Sequence, residues 1–120
     1  MTLAECYAAL GGNYEDVLAR LRSERLVQKF VLKFLDDGSF DTLCQSLEAG
    51  VQEEAFRAAH TIKGMCLNLS FTKLGASSME ITELLRGGDV AGAQAMFSRV
   101  QEDYIQTVEA IRAFQAGLPM

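Results

Sequence analysis

His60 is the only histidine in the 120-residue chain, and it stands in the run Ala59-His60-Thr61-Ile62-Lys63-Gly64. Near neutral pH an unperturbed imidazole is largely uncharged and can attack an electrophile through a ring nitrogen. Three residues on, Lys63 shares the same side of a helix and can bring an ammonium beside anything attached to the ring. Gly64, at four residues, has no side chain and leaves space next to it. Glycine inside a helix costs about 1 kcal/mol against alanine, so it often marks close approach or packing. Such a trio suits uptake of a dianionic group on the ring nitrogen, with Lys63 offsetting its charge. Gly75 and Gly92 also read as internal to helices, so the glycine carries weight only together with its neighbours.

Other chemistry finds little support. One histidine with no cysteine or carboxylate at ligand spacing is a poor zinc site, so no metal is expected. A Ser-His-Asp or Cys-His machine needs further groups in a concave site, and no such motif is visible. Glycine-rich phosphate loops are absent, so neither an ATP site nor any other cofactor is expected.

The segment that must position His60 is residues 51–69. Its apolar residues Ala55, Ala58, Ala59, Ile62, Cys66 and Leu69 fall on one helical stripe. At ~100° per residue with His60 at zero, they lie between roughly 160° and 260°. The imidazole therefore points away from the core. Within ~60° of it on the same wheel are Glu53, Phe56, Arg57, Lys63, Gly64 and Leu67. Phe56 and Leu67 are then apolar groups on a face that should be polar, and with Arg57 they suggest a docking surface around a reactive group.

The remainder of the chain reads as helices punctuated by glycine. Thr2 to Glu5 fits a capping box opening a short helix that stops at Gly11-Gly12, and Asn13 caps the next, with Tyr14, Val17, Leu18 and Leu21 on one face. Ser23 starts a longer helix carrying Leu26, Val27, Phe30, Val31, Phe34 and Leu35, ending near Asp37-Gly38. Ser39 caps a shorter one closed by Gly50. After the His60 helix, Ser70 or Thr72 caps a helix with Leu74, Ser78, Ile81 and Leu85 inside, ending at Gly87-Gly88. Asp89 caps the last and longest, where Ala93, Phe97, Val100, Tyr104, Val108 and Ile111 recur at helical spacing. No window alternates as a strand would, and short links favour antiparallel neighbours. The expectation is one all-α domain over residues 1–120: an antiparallel up-down four-helix bundle with short N-terminal lead-in helices.

A composition of 49% hydrophobic and 22% charged residues is that of a globular domain, and the single proline, Pro119, leaves nearly all of the chain free to be helical. A net charge of −5 opposes nucleic-acid binding, which needs a basic face. No apolar run reaches the length of a membrane span, and the start Met1-Thr2-Leu3-Ala4-Glu5 does not look like a signal peptide. Three cysteines without a CxxC pair give neither a disulfide framework nor a zinc site, and Cys66 is simplest as a small hydrophobe. A cytoplasmic monomer is expected.

The run Ala58-Ala59-His60-Thr61-Ile62-Lys63-Gly64, with Leu74 ten residues on and the Gly87-Gly88-Asp89 break after a further helix, resembles a histidine-containing phosphotransfer (HPt) domain of bacterial phosphorelays. The resemblance spans nearly the whole chain, with the motif on the second bundle helix. It implies that His60 carries a phosphoryl group, that Lys63 interacts with it, and that Gly64 leaves room for a partner's active site. The implied partners are response-regulator receiver domains, which supply the phospho-accepting aspartate and Mg²⁺, and a hybrid sensor kinase is compatible with it. Such a domain is a carrier with no ATP site of its own, so an enzyme in the strict sense is not expected. Met65 and Cys66 replace the small residues common after Lys-Gly, and on the wheel they face the flank and the core. Ser70 stands where a glycine is common near the helix end. The alternative is a helical adaptor that binds a receiver or another helical surface without being phosphorylated, although an adaptor needs none of histidine, lysine and glycine. A dimerisation fragment of a sensor kinase fits less well, since that needs a long two-helix hairpin and a following ATP-binding domain.

Overall fold

The structure, a computed structural model, describes residues 1–119. Among these residues it contains seven α-helices and no strand: α1 (Leu3–Leu10), α2 (Tyr14–Leu21), α3 (Glu24–Phe34), α4 (Ser39–Ala49), α5 (Gln52–Leu69), α6 (Thr72–Arg86) and α7 (Val90–Ala116). Helices α4 to α7 follow one another through tight links and pack as antiparallel neighbours, the four-helix bundle that the glycine punctuation predicts. At ~1.5 Å per residue α7 runs for roughly 40 Å, which matches the 43 Å long axis of the molecule. It is the spine.

The length of α7 gives the N-terminal helices their place. The α4 helix covers only its first half, where the Gln94 side chain donates to Leu47 O at 2.7 Å and Phe40 stacks on Tyr104 at 4.0 Å between centroids. Helix α1 covers the second half: Cys6 Sγ donates to Ala110 O, and the Gln106 amide donates to Ala9 O. The segments read as a lead-in thus fill a half-bundle that would otherwise leave apolar α7 residues in water. Leu3, Tyr7, Leu10, Val17, Val27 and Val31 join the same core as Ile62, Leu85 and Ile111.

Several caps are as expected. The Thr2–Glu5 capping box is complete, and Asn13, Ser23 and Asp89 each accept from a backbone N–H in the first turn of their helices. Others differ. Ser39 is the first helical residue of α4 and not its cap; the Asp37 carboxylate accepts from Ser39 N at 2.8 Å, so the hydroxyl is not needed there. Neither Ser70 nor Thr72 caps α6. Ser70 closes α5 in the left-handed conformation (φ 58°, ψ 40°), and Phe71 precedes α6 without any side-chain cap. Phe71 is wholly buried, packed at 5.2 Å against Phe34 and 5.6 Å against Tyr7. Burial of that ring, and no side-chain cap, sets the start of α6. Leu26, read as part of the α3 inner face, is 40% exposed.

A loop residue that acts as a core hub should be costly to truncate. Phe71→Ala is expected to lower the unfolding free energy by about 3–5 kcal/mol, read from a urea melt followed by helical circular dichroism. A loss below about 1 kcal/mol would show that the α5–α6 turn is not anchored by this ring.

Candidate functional site

Helix α5 buries the six residues of the predicted stripe: Ala55, Ala58, Ala59, Ile62, Cys66 and Leu69. Burial of that face leaves His60, Arg57, Thr61 and Gly64 exposed and Lys63 partly so. Leu67 keeps 53% of its surface in water. Arg57 pairs loosely with Glu53 at 4.0 Å, both highly exposed, an arrangement worth little energetically. Among the described residues the Lys63 ammonium has no ion-pair partner, so its charge is available to an incoming anion.

Helix α6 supplies what the wheel of α5 could not show. The Gln52 side chain donates to Leu85 O at 2.5 Å and ties the start of α5 to the end of α6. Beside that tie, Phe56 sits 5.8 Å from the His60 ring, tilted by 39°, with the Arg86 guanidinium 5.0 Å from the Phe56 centroid. Phe56 is therefore half-buried beneath a cation, where the sequence suggested a free apolar group. Arg86 also donates to the Glu83 carboxylate at 2.8 Å. That bond holds the Glu83 carboxyl below its ordinary pKa, and the nearby charges of Arg86, Lys63 and His60 act in the same direction. Glu83 and Arg86 thus belong to the surroundings of His60. A charged i,i+3 pair at the end of a helix signals only itself in the sequence; its neighbour on the adjacent helix is set by packing.

The three helix-internal glycines separate by their surroundings. A Cβ on Gly75 would lie 3.4 Å from the Cβ of Cys66, so that glycine serves the close approach of α6 to α5. A Cβ on Gly92 would run into the Asp89 carboxylate that caps α7. A Cβ on Gly64 would meet nothing within 4 Å. No packing need of the folded chain explains Gly64, which leaves open space beside His60.

On the other flank of α5 a cavity of about 440 Å³ opens towards α3, lined by Phe30, Lys33 and Phe34 with Met65, Asn68 and Leu69. Met65 sits on this flank and Cys66 in the core, as their wheel positions predict. All three cysteines are free. Burial pushes the Cys66 thiol up to about 12 and the Cys6 thiol up to about 11, so neither is a ready nucleophile. Around His60 the surface thus offers an accessible imidazole, the unpaired Lys63 ammonium, the Arg86 guanidinium nearby and open space at Gly64.

A family model described as Hpt domain matches residues 25–113, from the first turn of α3 to the last turn of α7. No curated protein and no solved structure matches the chain.

Open space at Gly64 has a consequence for stability alone. Gly64→Ala is expected to raise the unfolding free energy by about 1 kcal/mol, since the helix gains propensity and meets no clash. A thermal melt should shift upward by roughly 4 °C; a downward shift would mean that the glycine has a structural role within the fold.

Proposed function

This chain belongs to the Hpt domain family, the histidine phosphotransfer modules of phosphorelays, and we propose that it carries the phosphoryl group on His60, taken from and returned to aspartates of receiver domains. The observation that carries this reading is an exposed imidazole beside an unpaired lysine and an open glycine surface. In the forward step a lone pair on a ring nitrogen of His60 attacks the phosphorus of a receiver's aspartyl phosphate. The P–N bond forms as the P–O bond to the carboxyl breaks, and the aspartate leaves as carboxylate. The proton on the other ring nitrogen can pass to solvent. Return to a second receiver reverses each bond change. Lys63, and Arg86 from α6, offset the charge of the phosphoryl group, and Mg²⁺ comes with the receiver.

Docking is assigned to Phe56, Arg57 and Leu67, with the α3–α5 cavity extending the surface on the Met65 side. The proposed partners are receiver domains of response regulators, with a hybrid sensor kinase as a further candidate. Hpt domains are phosphocarriers rather than enzymes, and the proposed role needs no ATP site. No helix among the described residues is long and apolar enough to cross a membrane, and a monomeric bacterial cytoplasmic carrier is the proposed form. An unphosphorylated adaptor would use the same apolar groups with no need of His60, Lys63 or Gly64.

The decisive experiment mixes the protein with a phosphorylated receiver and follows label. His60→Gln is expected to keep the helical fold, because the side chain faces water, and to take up no phosphoryl group. Histidine-type label on the folded variant would end the assignment, and wild-type protein that never accepts label would favour the adaptor.

Gly64→Gln tests the approach. A long side chain one turn from His60 enters the space where the donor aspartate must come within about 3–3.5 Å in line. The variant should melt no lower than wild type yet transfer at least about 100-fold more slowly, the scale of a roughly 1 Å misplacement. Lys63→Ala should slow transfer more than it weakens receiver binding, because its charge matters most while the phosphoryl group is in place.

A further inference from the structure

The end of the phosphoacceptor helix is held by residues that lie before the family match. A helix C-terminus leaves its last carbonyls without intrahelical donors. Here three consecutive ones are taken by α1, α2 and the turn between them. The Tyr7 hydroxyl donates to Leu69 O at 2.7 Å, Arg20 NH1 donates to Asn68 O at 2.6 Å, and Asn13 N donates to Ser70 O at 2.9 Å. In return Lys73 N, in the first turn of α6, donates to Gly11 O at 3.0 Å.

Ser70 is the pin. It is a buried L-residue at φ 58°, where glycine would sit most easily. Its hydroxyl donates to Asp16 Oδ2 at 2.7 Å and accepts from Arg20 NH1 at 3.1 Å. The second guanidinium nitrogen donates to the same Asp16 carboxylate at 2.7 Å. These bonds, Ser70 first, hold the Asp16 carboxyl below its ordinary pKa. Gly12 completes the fit, because a Cβ there would lie 2.8 Å from Ser70 O. The residues so fixed, Asn68 and Leu69, also form one wall of the cavity between α3 and α5. His60 is ten residues away, roughly 15 Å along the helix.

We propose that Tyr7, Asp16, Arg20 and the Gly11–Asn13 turn are positioning elements for receiver docking: they fix the last turn of α5, and with it the wall of the docking cavity, without acting on the chemistry at His60. The proposal rests on the reading that a receiver docks across α5. It makes the N-terminal helices part of partner recognition in this chain, through a contact made outside the residues that the family model matches.

The test uses the full chain with two variants that perturb the clamp differently. Arg20→Met removes the guanidinium bonds and keeps the aliphatic stem; Gly12→Ala pushes on Ser70 O, and equally on the Tyr7 and Leu10 side chains of α1, without changing any charge. Amide hydrogen exchange on the free protein is read at Phe71 and Lys73, and transfer from a phosphorylated receiver is read over a concentration series. Both amides should exchange roughly tenfold faster in each variant while the α7 amides hold wild-type protection, because local opening is separable from global unfolding. The half-saturating concentration should rise about fivefold or more with the limiting rate within about twofold of wild type, the signature of lost binding that is shared equally by ground state and transition state. Unchanged half-saturation in a folded Arg20→Met protein, or a fall in limiting rate in its place, would overturn the proposal. Absence of label on wild-type His60 would overturn the carrier reading, and the exchange measurement would still decide whether the clamp orders the helix end.

Discussion

The arrangement depends on the burial of one narrow stripe along α5. Ala55, Ala58 and Ala59 form its first half, and their small size lets neighbouring helices approach closely. Gly75 continues that approach on α6, where a Cβ would already lie 3.4 Å from that of Cys66. A stripe this narrow fixes the rotation of the helix about its own axis. Once that rotation is set, His60 must face water, Lys63 follows within a turn, and Gly64 has no internal neighbour. Exposure of His60 is thus a packing result on the opposite face of the same helix.

The interior that holds this rotation is continuous from end to end. Aromatic rings pass contacts from Tyr14 to Tyr7, Phe71, Phe34, Tyr104, Phe40 and Phe97, in turn on α2, α1, the α5–α6 turn, α3, α7, α4 and again α7. Each contact is modest, worth about 0.5–1.5 kcal/mol beyond area burial, but together they join both halves of the α7 spine. The His60 surface lies outside this chain of rings. The packed interior and the open outer face thus belong to opposite sides of α5.

Charge divides in a similar way. The chain is net acidic by five charges, yet Arg57, Lys63 and Arg86 gather around the one histidine, with Glu53 and Glu83 as their partial counterweights. The local surface is therefore suited to an anion, although the whole molecule is not. The Cys6 and Cys66 thiols, in contrast, are held in protonated form by burial, and on α5 that leaves the imidazole of His60 as the accessible nucleophilic side chain.

The sequence by itself determined the facing of α5, because a buried stripe and its opposite face belong to one helix and repeat at one period. From that followed the positions of His60, Lys63 and Gly64, as well as the helical class and most glycine-marked helix ends. Three things were decided by tertiary structure. Arg86 and Glu83 reach the His60 surface from α6, so their relevance depends on how two helices dock. Ser70 and Thr72 carry the local signature of a cap, and burial of Phe71 overrode it, because a ring in the core outweighs a single hydroxyl–amide bond. The short N-terminal helices carry only their own caps and faces in sequence. Their position against the far half of α7, and their hold on the end of α5, come from contacts between residues some fifty to a hundred positions apart, which local periodicity cannot encode.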